Sequence, residues 1–163
     1  MHTTALSGSV MHERLTIGDI CSRKVTIADR KTDLVTAAQL MRRDHVGALV
    51  VVDDQKGLTK VDGVITDRDI VTSIIAQGLD PGPLYVEDVM STPVVTVQED
   101  GSLVDLMRAM RRNGVRRIPV TDKDHLLIGI VTLEDVLKIL AEELNLLASS
   151  IDNGMKREFK RRP

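Results

Sequence analysis

The chain has 163 residues, 42% of them hydrophobic and 28% charged, with a formal net charge of -2. That is enough for one good core or two small intimate ones, and too near neutrality for general attraction to nucleic acid. Tyr85 and Phe159 are the only aromatic residues, so no platform exists for stacking single-stranded bases, and the single cysteine, Cys21, excludes an internal disulfide and a cysteine-rich metal site.

In chain order, residues 1–14 read as a small, polar, disordered leader without the cationic start and apolar run of a signal peptide. A short helical lead-in is expected over 15–21. The first repeat unit, 15–79, continues with a strand at 25–27 and a helix over 33–44 that Asp33 caps, carrying the stripe Leu34, Ala37, Ala38 and Met41. A strand at 47–52, a loop over 53–60 and a strand at 61–65 follow. Thr66 then opens a helix with Ile70, Val71, Ile74 and Ile75 inward and Gly78 as its stop.

Pro81, Gly82 and Pro83 mark a linker over 80–84, too short to let the halves wander apart. The second unit, 85–147, begins with a lead-in at 86–90 and a strand at 94–97. A helix capped at Ser102 carries Leu103, Leu106, Met107 and Met110, and strands are expected at 115–120 and 127–131. The last helix starts near Leu133 and carries Val136, Leu137, Ile139, Leu140, Leu144 and Leu147. It is longer and richer in leucine than its counterpart, which suits a core on one side and a subunit interface on another. Residues 148–163 read as a solvated basic tail with Lys156, Arg157, Lys160, Arg161 and Arg162.

The two units are copies of one another. Met41-Arg-Arg-Asp-His-Val46 matches Met110-Arg-Arg-Asn-Gly-Val115, and Val25-Thr-Ile27 matches Val95-Thr-Val97. Gly63-Val-Ile-Thr-Asp-Arg-Asp-Ile70 matches Gly129-Ile-Val-Thr-Leu-Glu-Asp-Val136, keeping glycine, an apolar pair, threonine and aspartate at one spacing. Because one amphipathic sheet of this size needs a partner for its apolar side, the halves are expected to share a face.

A threonine hydroxyl and a carboxylate three residues on, at a helix mouth, can hold a ribose, with free N–H groups beside them for phosphate. The plainer reading is a capping box, in which the two residues satisfy each other's backbone. Capping boxes favour Glu or Gln at the later position, and the use of Asp in both copies, at Asp69 and Asp135, tips the reading toward a ligand. The copies differ where phosphate would be held. Arg68 lies inside the first motif where the second has Glu134, and Arg116-Arg117 stands where the first repeat has Gly47-Ala48. Alternation along a strand should admit one arginine of that pair to a given cleft. Such a guanidinium suits phosphate equally with a solvated or salt-bridged strand edge, and Arg68 could instead pair with Asp67. Unequal sites follow.

The doubled strand, helix, strand, strand, helix order, each copy closed by G-h-h-T-x-x-D, resembles a pair of CBS domains, the Bateman module, over about residues 15–147. The resemblance implies an α/β (α+β) fold of two pseudo-symmetric repeats, each a small sheet with helices packed on it, around a central interface. It further implies two clefts that hold adenine nucleotides, with Thr66 and Asp69 on the sugar in one and Thr132 and Asp135 in the other. Adenine would then lie near Lys24-Val25 and Pro93-Val94, against Val46 or Val115. Disc-like homodimers are also implied.

The search for catalysis finds no metal-ligand spacing among His2, His12, His45 and His125, no nucleophile setting and no P-loop. The leading expectation is a non-enzymatic, cytoplasmic regulatory module without a prosthetic group, binding AMP, ADP, ATP or NAD and altering its association with a partner protein or subunit. No membrane or nucleic-acid partner is expected. The alternative is a ligand-free interaction protein working through homodimerisation.

Overall fold

The computed structural model describes residues 15–55 and 58–161. The leader at 1–14 lies outside them, as do Arg162 and Pro163. The first repeat contains helix α1 (Ile17–Ile20), strand β1 (Ile27–Ala28), helix α2 (Leu34–Asp44), strands β2 (Ala48–Gln55) and β3 (Leu58–Thr66), and helix α3 (Asp67–Ser73). A short 3-10 turn, Ile75–Gln77, follows α3 and ends at Gly78 with φ 70°, as its glycine requires. The second repeat has a 3-10 turn at Val86–Asp88, then β4 (Val97–Gln98), α4 (Leu103–Asn113), β5 (Arg117–Thr121), β6 (Leu127–Thr132) and α5 (Leu133–Arg161).

Each repeat forms a three-stranded sheet. The first strand runs parallel to the second, the second antiparallel to the third, and the orders are β1-β2-β3 and β4-β5-β6. The loop expected over 53–60 is mostly strand, because Asp53, Asp54 and Gln55 pair with Lys60, Thr59 and Leu58 and so keep their backbone groups bonded beyond a register shift at Val51/Val52. The strands expected at 25–27 and 94–97 shrink to two residues each. Ahead of them, Ser22 and Ser91 hydrogen-bond to the other repeat.

Helix α2 starts as the sequence indicates, with Asp33 Oδ1 accepting from Thr36 N–H at 2.8 Å, and it buries Leu34, Ala37 and Met41. Ala38 and Val71, expected inward, are exposed, and so is Ile75. In the second repeat Ser102 Oγ accepts from Asp105 N–H at 3.2 Å, and α4 buries Leu106, Ala109 and Met110. Leu34, Leu49 and Ile65 anchor the first core, and Leu106, Ile118 and Val131 the second. Each such side chain stabilises the fold by about 1.5–3 kcal/mol. Strand β2 is buried on both faces, since Val50 and Val52 are hidden as completely as Leu49 and Val51. The face away from the helices meets the second repeat, where β3 lies against β6. The bridge between Lys60 and Leu126 joins the two sheets at that interface.

The lead-ins are exchanged. Ile17, 1% exposed, belongs to the second core beside Leu106 and Val136, whereas Val86 and Met90 belong to the first, beside Leu34 and Ile65. Ser91 exchanges two backbone hydrogen bonds with Val64 of β3, at 2.9 and 3.2 Å, and Ser22 exchanges two with Ile130 of β6, both 2.9 Å. The pairs match under the repeat. They also explain the motif glycines: a Cβ on Gly63 would stand 2.9 Å from the Ser91 carbonyl oxygen, and one on Gly129 would stand 2.7 Å from that of Ser22. Surface ion pairs of Glu87 with Lys31 and of Glu99 with Arg23 lie over the two exchanged segments.

Helix α5 runs unbroken through residues read from the sequence as a basic tail. Val136 is buried and Leu133 and Leu140 pack on the second core, but Leu144, Leu147 and Ile151 stand clear of it.

Candidate ligand cleft between the repeats

Strand β3 turns directly into α3 at Thr66, whose extended backbone (φ -115°, ψ 159°) leaves its side chain facing the new helix. Asp69 N–H donates to Thr66 Oγ1 at 3.1 Å. In return Asp69 Oδ2 accepts from the Thr66 N–H at 2.9 Å and from its hydroxyl at 2.6 Å. Thr132 and Asp135 repeat this at the start of α5, with 3.2, 2.9 and 2.7 Å. The same two bonds to an aspartate oxygen occur at Thr16 and Asp19, which open α1 and are not among the residues of the cleft. The choice of Asp over Glu therefore marks a tight cap, and does not by itself single out a ligand. What distinguishes Thr66 and Asp69 is their position.

They border a cavity of about 610 Å³ at the seam of the repeats, within the range of small-ligand sites. From the first repeat it takes Val64, Thr66, Asp67, Arg68 and Asp69, and from the second Pro93, Val94, Val115, Arg116 and Arg117. The structure thus brings together eight of the residues singled out in the sequence. Both arginines of the 116–117 pair border this cavity, where strand alternation had been expected to admit one. Alternation begins only at Arg117, where β5 begins, while Arg116 precedes the strand and its carbonyl accepts from Leu133 N–H at 2.7 Å. Among the described residues none of Arg68, Arg116 and Arg117 is in an ion pair. Arg68 meets Asp67 only through its backbone N–H, at 2.8 Å.

Asn113 and Gly114, which the sequence reading passed over, also line the cavity. Gly114 caps α4 with φ 63°, and its counterpart His45 caps α2 with φ 54°. The signal was present in the repeat alignment, which sets Asn113 against Asp44. Asp44 accepts from Thr26 Oγ1 at 3.0 Å and pairs with Arg43, whose guanidinium is the first cause holding its carboxyl down to about 2.

At the positions equivalent by the repeat, around Thr132 and Asp135, the Ser22–Ile130 hydrogen bonds lay the first repeat's lead-in antiparallel alongside β6. There Glu134 replaces Arg68, Gly47 and Ala48 replace the arginine pair, and Asp44 replaces Asn113. One helix mouth is cationic and the other acidic. Val46 also borders a separate groove of about 570 Å³ with Met41, His45, Ile70 and Val71, on the helical face of the first repeat. Among the described residues no group of three or more His, Cys, Asp or Glu side chains could hold a metal ion, and no helix is long and apolar enough to cross a membrane.

Two repeats with exchanged lead-ins, each closed by a capped helix mouth at their common seam, define a pseudo-symmetric tandem α/β module. The CBS domain family matches residues 17–76 and 86–142, and the chain belongs to that family. Hypoxic response protein 1 of Mycobacterium tuberculosis is 35% identical over 127 residues, 78% of this chain and 86% of that protein. A crystal structure of Hypoxic Response Protein I with two coordinated zinc ions superposes with a TM-score of 0.67 at 34% identity, covering 76% of this chain and 98% of that one. The CBS domain pair of protein MJ0100, in complex with 5-methylthioadenosine and S-adenosyl-L-methionine, gives 0.68 at 26% identity, covering 77% and 99%. CBS pairs are regulatory modules.

Proposed function

We propose that the chain is a non-catalytic sensor that binds a phosphate-bearing adenosine ligand, such as AMP, ADP, ATP or NAD, in the cleft at Thr66 and Asp69. Binding then alters association with a second subunit or a protein partner. The observation that carries this reading is the cavity of about 610 Å³ bordered by three guanidinium groups free of ion pairs. Guanidinium groups are planar donors suited to phosphate oxygens. Asp69 would accept from ribose hydroxyls, and Pro93, Val94 and Val115 would flank the base in place of aromatic residues. A second cleft at Thr132 and Asp135, flanked by Lys24, Val25 and Val46 as the family resemblance implies, would take an uncharged or cationic adenosine compound, since Glu134 and Asp44 would repel phosphate. The ligands in complex with the MJ0100 pair, a neutral thioether and a sulfonium, are of that second kind.

A ligand can shift the arrangement of repeats or subunits only through differential affinity for two states. The test is calorimetry on the purified chain with AMP, ADP, ATP, NAD, 5-methylthioadenosine and S-adenosylmethionine, with guanosine nucleotides as controls. The expected result is adenosine-selective binding, in which Asp69→Ala removes the nucleotide and Asp135→Ala removes the methionine-derived compound. Normal binding by both variants would overturn the ribose assignment, and silence across the panel would overturn the sensor reading.

A further inference from the structure

Among the described residues, the buried side-chain oxygen left without a hydrogen-bond partner is the hydroxyl of Thr121, a residue 1% exposed. Packing does not require a threonine there. Beyond the register shift in each sheet, Thr121 pairs with Leu127 where Val52 pairs with Val61, so the two are counterparts, and Val52 fills its place at 4% exposed. A buried unmet hydroxyl has a cost that valine avoids, and departures of this kind from local consistency gather at functional sites. Thr121 stands in the wall of a second cavity, of about 290 Å³, bordered by both repeats. Its volume lies at the bottom of the range of small-ligand sites.

We propose that this cavity binds a small oxyanion, with Lys60, Thr96, Thr121 and His125 as its donors. Lys60, on β3, is in no ion pair among the described residues, and Asp53, opposite it in the ladder, is not part of the cavity wall. Asp62 is in the wall, but its carboxylate accepts from both Nε and Nη2 of Arg30, the latter at 2.9 Å, so its charge is offset. In the turn that carries His125, the Asp122 carboxylate accepts from the N–H groups of Asp124 and Leu126, both at 2.9 Å. What the wall offers is an ammonium, an imidazole and hydroxyl groups, a donor set suited to an oxyanion. The Thr121 hydroxyl is sealed from water, so it meets the anion by rotation of its side chain. Under the repeat, Val52, Leu126 and Ile128 stand where Thr121, Lys60 and Asp62 do, so the counterpart place is apolar and one such site per chain is expected. Pro93 and Val94 border this cavity and the nucleotide cleft alike, yet the inference is independent of the nucleotide reading.

The test titrates the isotope-labelled full chain with inorganic phosphate, against chloride at matched ionic strength, and follows the backbone amide resonances. Saturating shifts at Thr96, Thr121 and His125 are expected, with affinity lowered about tenfold by Lys60→Gln and by Thr121→Val. Because valine already fits the counterpart place, Thr121→Val keeps the fold, and loss of binding in it is not loss of structure. Phosphate that also meets the arginines of the first cleft gives separate shifts at Arg116 and Arg117, which both variants should leave unchanged. Shifts confined to Arg116 and Arg117, no shifts at all, or an affinity at Thr96, Thr121 and His125 that is unchanged in either variant would overturn the proposal.

Discussion

The guanidinium of Arg117 lies over the backbone of Gly47, its Nη1 3.1 Å from where a Cβ on that glycine would stand, and Asp67 Oδ2 approaches the same point at 3.2 Å. The two residues occupy adjacent places in the repeat alignment, and their difference in size is complementary. The first repeat supplies the empty space and the second repeat fills it with charge. Arg117 is thereby half-buried at the cleft, where a positive charge is screened less than at the surface.

This makes the phosphate affinity of the cleft testable from two sides. Arg117→Ala should weaken binding of AMP or ATP about tenfold, as expected for loss of a charge-assisted hydrogen bond. Gly47→Leu should do the same without changing any charge, by displacing the guanidinium. Binding of 5-methylthioadenosine should change little in Arg117→Ala. Titration calorimetry of the two variants with both ligands measures this.

The exchanged lead-ins place the motif glycines under steric demand. Gly129→Ala would drive a methyl group against the Ser22 carbonyl oxygen and the Cys21 sulfur, at 2.7 and 2.9 Å. Destabilisation by about 1–3 kcal/mol is expected, the usual cost of overpacking. Gly63→Ala meets the Ser91 carbonyl at 2.9 Å and the Met90 sulfur at 3.0 Å, and should cost no more than Gly129→Ala. Urea unfolding of the two variants gives the comparison.

Thr121 is 1% exposed, and its hydroxyl has no hydrogen-bond partner. A buried unmade hydrogen bond is a cost that a methyl group of nearly the same shape removes. Thr121→Val is therefore expected to stabilise the protein by about 1 kcal/mol, seen as a raised midpoint in thermal unfolding.

Asp44 gives the acid limb of stability a defined source. Its carboxyl is held at about 2, first by hydrogen bonding from Arg43, with Thr26 and the charges of Arg43 and Lys24 adding to it, against an ordinary value of 3.8. A depressed carboxyl contributes stability that is fully present above its unfolded value and is lost as the pH falls through its folded one. Its contribution should thus fade between about pH 4 and pH 2, and Asp44→Asn should flatten the stability profile in that window. Chemical denaturation across those pH values tests it.

Much of the fold was legible from local patterns. Asp33, Ser102 and the two motif threonines cap the helices they were expected to cap, because a cap is a bond between residues two or three apart and needs no knowledge of the rest of the chain. The repeat gave the doubled sheet order and singled out Thr66, Arg68, Asp69, Arg116 and Arg117 of the cleft for the same reason, since it compares the chain only with itself, whereas Pro93, Val94 and Val115 came from the family resemblance. The strand pairing of 53–55 with 58–60 is not legible in the sequence, because polar residues can continue a ladder as well as form a loop.

What only the tertiary structure decided are the relations between the halves. No periodicity states that Ile17 belongs to the second core and Val86 to the first. That exchange follows from which sheet edge lies free where the chain passes it. The motif aspartates read alike in sequence, and so does Asp19, yet Asp69 alone of the three lines the cavity, beside unpaired arginines that the other repeat helps supply. Local sequence determined the caps, strands and repeat, since their energies come from neighbours along the chain. Packing determined the cleft, since its charge and shape come from residues far apart in the chain, with fifty positions separating Thr66 from Arg116.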